Sequence, residues 1–141
     1  MNPVQLLANL LFSETKDPED AQAIANVILN RLKKPQRFGA TLEDVIFAPY
    51  QFSGVGSNEW NKAVNQKFTD DEAKIYKNFL VIASKALKGQ LEDNTNGADH
   101  YANLKLSKPS WAKIYPKTAQ IGSHTYFKEV IPQVKKVSRK K

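Results

Sequence analysis

Asn2-Pro3-Val4-Gln5-Leu6-Leu7-Ala8-Asn9-Leu10-Leu11-Phe12-Ser13-Glu14-Thr15-Lys16-Asp17-Pro18-Glu19-Asp20 contains two helix-start signals separated by an apolar run that ends on an acid. Asn2 and Asp17 are N-cap residues, and each is followed by a proline at the first helical position, where its missing N–H is no loss. A first helix is therefore expected from Pro3 to Phe12 or Glu14. A second starts at Pro18, with Glu19 and Asp20 in the first turn, where the helix dipole favours acids. Glu14 falls at the junction, a carboxyl group delivered by an apolar helix. That setting suits a general acid, because desolvation favours the neutral carboxyl. Taken alone, an acid after an apolar helix is more often a solvated helix-end residue.

Downstream, Ala21, Ile24, Ala25, Ile28, Leu29 and Leu32 recur at steps of three and four and predict the central core helix. Thr41-Leu42-Glu43-Asp44 has capping-box spacing with Asp replacing the usual Glu or Gln, and opens a short helix that Pro49 ends. Tyr50-Gln51-Phe52-Ser53-Gly54-Val55-Gly56-Ser57 is a glycine-punctuated loop, and Ser57 caps a brief helix holding Trp60 and Val64. Thr69-Asp70-Asp71-Glu72 is a true capping box, followed by Ala73, Tyr76, Leu80, Ala83 and Leu87 until Gly89 stops the helix. After the Asn94-Thr95-Asn96-Gly97 turn, residues 98–104 and 119–129 mix aromatic, β-branched and polar residues as short strands do. The connection through Pro109, Trp111 and Pro116 should be irregular. The expected fold is mainly α, a helical domain with a small β-rich segment near the C-terminus.

The chain of 141 residues fits one domain, and a domain of that size buries roughly 68–70% of its unfolded surface. It has no cysteine, which removes disulfides, thiol nucleophiles and thiolate ligands. The formal charge is +7, of which Lys135, Lys136, Arg139, Lys140 and Lys141 supply +5. Residues 1–133 are expected to form the catalytic domain and 134–141 a basic tail. The tail is either a solvated terminus or a contact for an anionic envelope polymer or nucleic acid. The N-terminus lacks the basic n-region of a signal peptide, and no apolar run approaches the roughly 18 residues that span a bilayer. The expectation is a protein made in the cytoplasm.

His100 and His124 are the only histidines, and no zinc or EF-hand spacing occurs. No metal or other cofactor is expected. Serine-hydrolase and phosphate-loop motifs are also missing. What remains is carboxylate chemistry, and glycosidic cleavage needs a protonated acid at the leaving oxygen. Glu14 suits that role. Asp17, Glu19, Asp20, Glu43, Asp44, Asp70, Asp71 and Glu72 sit at helix starts, where the dipole accounts for them.

Several segments in order resemble the SleB/CwlJ-type cell-wall hydrolase family. They are Phe12-Ser13-Glu14, Val27-Ile28-Leu29-Asn30-Arg31, Thr41 to Ile46, Pro49, Gln51-Phe52-Ser53, residues 98–103, Pro109, Trp111 and Ile121-Gly122-Ser123-His124-Thr125-Tyr126-Phe127. Departures from the family pattern are Ser13 where glycine is common, Asp17-Pro18-Glu19 in place of a Gly-Glu pair, and Ala102 in place of a tyrosine. The resemblance implies a lysozyme-like domain that cuts the peptidoglycan glycan strand, with Glu14 as catalytic acid, through lytic transglycosylation. Gln51 and Ser53 become candidates for hydrogen bonds to N-acetyl or hydroxyl groups, and Phe52 for a wall of the cleft; plain loop packing is the alternative for all three. Tyr101 and Asn103 are candidates to border the acid. Trp111 stacks on a pyranose or serves as a core or lid residue, and His100 and His124 act as hydrogen-bonded orienters.

Because the sugar's own 6-hydroxyl attacks intramolecularly in such a reaction, one glutamate serves as acid and then as base. The expected whole is a monomeric, phage-endolysin-like enzyme held in the host cytoplasm before lysis. The rival readings are a muramidase recruiting Glu59 or Asp99 as second carboxylate, and a non-catalytic basic module that binds wall or nucleic acid.

Overall fold

A computed structural model describes residues 1–49 and 51–130. Tyr50, the basic tail and the expected domain boundary at residue 133 lie outside the described residues. Helix α1 (Pro3–Glu14) starts in a full capping box, in which Asn2 Oδ1 accepts from the Gln5 N–H at 2.8 Å and Gln5 Oε1 from the Asn2 N–H at 3.1 Å. Every residue from Leu6 to Phe12 is buried. A helix apolar on all sides needs neighbours on all sides. They are α2 (Pro18–Leu32), α4 (Leu42–Ile46), α5 (Asn58–Asn65) and α6 (Asp70–Leu87).

The centre of the molecule is therefore α1, where the sequence periodicity pointed to α2. Helix α2 buries Ala21, Ile24, Ala25 and Ile28 as its spacing predicts, while Leu29 and Leu32 are only partly covered. Phe12 meets Phe68 and Tyr76 edge-on at 5.1 and 6.2 Å. Full burial of such a side chain contributes roughly 1.5–3 kcal/mol. The one polar side chain in this stretch of α1, Asn9, is satisfied by the Tyr76 hydroxyl, which donates to its Oδ1 at 2.6 Å.

Thr69 and Glu72 form the expected capping box at the head of α6. At α4, Thr41 Oγ1 accepts from the Asp44 N–H at 3.1 Å, with no return bond, since the aspartate is one carbon shorter than the usual glutamate. The sequence reading did not anticipate α3 (Pro35–Phe38), a single turn opened by Pro35.

Three antiparallel strands, β1 (His100–Ala102), β2 (Lys117–Ile121) and β3 (His124–Phe127), form a sheet in the order β1-β3-β2. Tyr101 lies opposite Tyr126 across β1 and β3, and Ile121 opposite His124 across β2 and β3. The stretch over 119–129, whose residues mix as those of short strands do, holds most of a hairpin that begins at Lys117. Its turn rests on Gly122, whose φ of +58° suits a residue without Cβ and whose Cα side faces the carboxylates of Asp17 and Asp20. The irregular connection holds one turn of 3-10 helix, Ser110–Lys113. Among the described residues no helix is long and apolar enough to cross a membrane.

Candidate active site

The last turn of α1, the end of α2, the loop after Pro49 and the sheet converge on a cleft of about 610 Å³. All nine residues singled out from the sequence line it: Glu14, Gln51, Phe52, Ser53, His100, Tyr101, Asn103, Trp111 and His124. Glu14 is the only carboxylate among the lining residues. Its Oε1 accepts from the Tyr101 hydroxyl at 2.7 Å and its Oε2 from the Gly54 N–H at 2.7 Å. Two fixed donors set the plane of the carboxylate and leave one acceptor site open on each oxygen. Burial, and then the charge of Glu14, push the Tyr101 phenol well above its ordinary value, so its O–H stays a donor.

Gly54 explains how the loop comes so close. A Cβ built at this position would collide with Ser13 Oγ and Glu14 Oε2. Only glycine lets the backbone N–H reach the acid.

Arg31, in the last turn of α2, is buried, and it shapes the next part of the cleft. Its Nε donates to the Asp99 carbonyl at 2.8 Å and its guanidinium to Gln51 Oε1 at 3.0 Å. The guanidinium also lies over the rings of Phe38 and Phe52, 4.8 and 5.0 Å from their centroids. Burial pushes its pKa down to about 10, with Tyr101 and Asp99 opposing the shift, and it remains a cation at neutral pH. Because Arg31 takes the Gln51 oxygen, the Gln51 amide presents its N–H donors. Phe52 is buried and stacks with Tyr101 at 6.2 Å, so it is a wall of the cleft that also packs the core. Ser53 is exposed at the rim.

Strand alternation sends His100 and Tyr101 to opposite faces of β1. As β1 is the edge of the sheet, both reach the cleft. His100 is surrounded edge-on by Trp111, Tyr115 and Phe38 at 4.8, 5.1 and 5.9 Å, and its Nδ1 lies 2.9 Å from Asp99 Oδ1. Trp111 stacks on Tyr115 at 6.0 Å and forms an aromatic shelf at this end. Asn103 is held by its own turn, accepting from the Lys105 N–H at 3.1 Å, and borders the cleft without touching Glu14. His124 packs edge-on against Tyr101 at 5.0 Å.

Neither acid considered as a second carboxylate lines the cleft. Glu59 is held by Lys16 and Lys62 at 2.9 and 3.0 Å. Asp99 is wholly buried; burial alone would raise its pKa, but bonds from His100, Lys34 and the Glu129 N–H outweigh this and hold it well below the usual carboxylate range.

A family model described as Cell Wall Hydrolase matches residues 16–127. The chain belongs to the cell wall hydrolase family. Among solved structures, this cell wall hydrolase is similar to the catalytic domain of the germination-specific lytic transglycosylase SleB from Bacillus anthracis, with 27% identity, coverage of 91% of this chain and 95% of that one, and a TM-score of 0.68. It is also similar to the catalytic domain of Bacillus cereus SleB, with 29% identity, coverage of 89% of each chain and a TM-score of 0.63. No curated protein sequence matches it.

Glu14 stands two residues before the matched stretch, at the end of the helix that leads into it. Sequence reading of this cell wall hydrolase missed four side chains and one glycine that build the site. Arg31 carried only the signal of an unusual cation at the end of an apolar helix, and Gly54 that of a glycine inside a loop. Arg37 and Tyr115, which line the cleft and pair with Glu129, carried none. Asp20 was assigned to the helix dipole, yet it is buried; His124 Nδ1 and the Tyr126 hydroxyl both meet its carboxylate.

Proposed function

We propose that the protein is a peptidoglycan lytic transglycosylase in which Glu14 acts alone as acid and base. The observation that carries this reading is the single carboxylate among the described residues that line the cleft, gripped by the Tyr101 hydroxyl and the Gly54 N–H. In its protonated form Glu14 gives its proton to the glycosidic oxygen as the bond from the muramyl anomeric carbon breaks. The two donors support the carboxylate that remains. The 6-hydroxyl of the same muramyl residue then bonds to the anomeric carbon, and its proton returns to Glu14. The products are a 1,6-anhydro end and a free 4-hydroxyl, with no water consumed. Intramolecular attack takes the place of an enzyme nucleophile through high effective molarity. Similarity to the Bacillus anthracis catalytic domain, described as that of a lytic transglycosylase, supports the same reading.

A water-consuming muramidase would want a second carboxylate across the cleft, and Glu59 and Asp99 are held elsewhere. Mass spectrometry of muropeptides distinguishes the two, as anhydro products are lighter by one water. Glu14→Gln should lower release of anhydro-muropeptides by at least 10³-fold while leaving the melting temperature unchanged within a few degrees. Hydrolysed ends only, or near-normal turnover by the variant, would overturn the assignment. Lysis of a host from within is part of the proposal: expression together with a membrane-permeabilising protein should clear a culture, and the Gln variant should not.

A further inference from the structure

Asp20, like Asp99, is a buried acid that the reaction does not use. It sits in the first turn of α2, is 1% exposed and lies behind the sheet residues that support Glu14. His124 Nδ1 is 2.7 Å from its Oδ2, and the Tyr126 hydroxyl donates to its Oδ1. Both partners then pack on Tyr101, His124 edge-on at 5.0 Å and Tyr126 with ring centroids 5.6 Å apart. Tyr101 in turn donates to Glu14. One carboxylate therefore fixes two of the three rings, His124, Tyr126 and Phe52, that pack on Tyr101, the hydrogen-bond donor to Glu14.

The chemistry of that carboxylate specifies more than position. An ionised aspartate only accepts, so the His124 nitrogen facing it carries the proton. In the neutral ring the other nitrogen, Nε2, is then an acceptor. His124 lines the cleft, and among the described residues no hydrogen bond to Nε2 is made. The titratable groups around the ring are Asp20, Tyr101 and Tyr126, with Glu14 beyond Tyr101 and Asp17 beside the hairpin turn.

We propose that Asp20 is a positioning residue that locks His124 in the Nδ1–H tautomer, so that its Nε2 meets the glycan strand as an acceptor for a sugar hydroxyl. This rests on the cleft being the glycan site. In Asp20→Asn the amide can donate to Nδ1, which moves the ring proton to Nε2 and turns the acceptor into a donor.

Nitrogen-15 NMR of the imidazoles tests this directly. There are two histidines, and loss of a signal in His124→Ala assigns the one that matters. With the ring neutral, the wild type should show His124 as the Nδ1–H tautomer, and Asp20→Asn should shift it toward Nε2–H. On purified peptidoglycan strands Asp20→Asn should lower kcat/KM about three- to tenfold, the size expected for one neutral hydrogen bond. Asp20→Asn added to His124→Ala should cost nothing more. An Nε2–H ring at His124 in the wild type, or additive losses in the double variant, would overturn the proposal. Absence of turnover in every form, with the Nδ1–H tautomer seen, would instead count against the glycan reading of the site.

Discussion

Gly54 and Glu14 show how little room the acid has. A methyl group at position 54 meets Ser13 Oγ and Glu14 Oε2, which can rotate away, and Ser13 Cβ at 2.9 Å, which cannot, so the relief is to swing two side chains aside and draw the loop back slightly rather than to open the core. Gly54→Ala should therefore keep its fold, with a melting temperature within a few degrees of wild type, and lose about 10²-fold in kcat, the scale of a misplacement of about 1 Å. Thermal melts and initial rates on the same preparation check both halves of that expectation. A large loss of stability with normal specific activity of the folded fraction would show that the glycine serves packing alone. From sequence, Glu14 was legible because its helix is, and Gly54 was not, because a close approach between loop and helix end leaves no local pattern. Asp20 was misread for a related reason: a helix start accounts for an acid whether or not a distant strand closes over it.

At the scale of elements, Asp99 ties three pieces together just before β1. Lys34, at the head of α3, donates to it at 2.8 Å, His100 of β1 meets it at 2.9 Å, and the Glu129 N–H donates at 2.8 Å. Its folded pKa is held well below the unfolded value of about 3.9, despite the opposing effect of burial. A depressed carboxylate contributes stability that is fully present above the unfolded pKa and is lost as pH falls toward the folded one. Asp99→Asn should thus cost on the order of 3 kcal/mol at pH 7, the lower end for breaking a buried pair, since Lys34 can turn to water. The deficit should shrink progressively below about pH 4. Urea denaturation of both proteins at pH 7 and pH 3 measures the two gaps. The helices were legible because caps and three- and four-residue spacings are local. Gly122-Ser123 carries the local signal of a two-residue hairpin turn but was taken with its flanks as one β-rich stretch, and the irregular connection hid Tyr115 altogether.

The whole molecule is organised around a helix that has no outer face. Helix α1 runs through the centre with Leu6 to Phe12 all covered, and its last residue is the acid of the cleft. The mainly helical fold with its small sheet followed from the sequence and matches the SleB catalytic domain over nearly the whole chain. That the most buried helix also carries the acid did not follow, because burial on every side depends on four other helices arriving. Amide hydrogens near the middle of a core helix exchange only when the whole domain opens, whereas those of loops exchange through local fluctuations. The amides from Leu7 to Phe12 should be the slowest in the protein, and activity measured along a urea titration should fall together with far-UV ellipticity rather than ahead of it. Many enzymes lose function early, as a mobile site loosens before the body does; here the acid is anchored in the last part of the structure to give way.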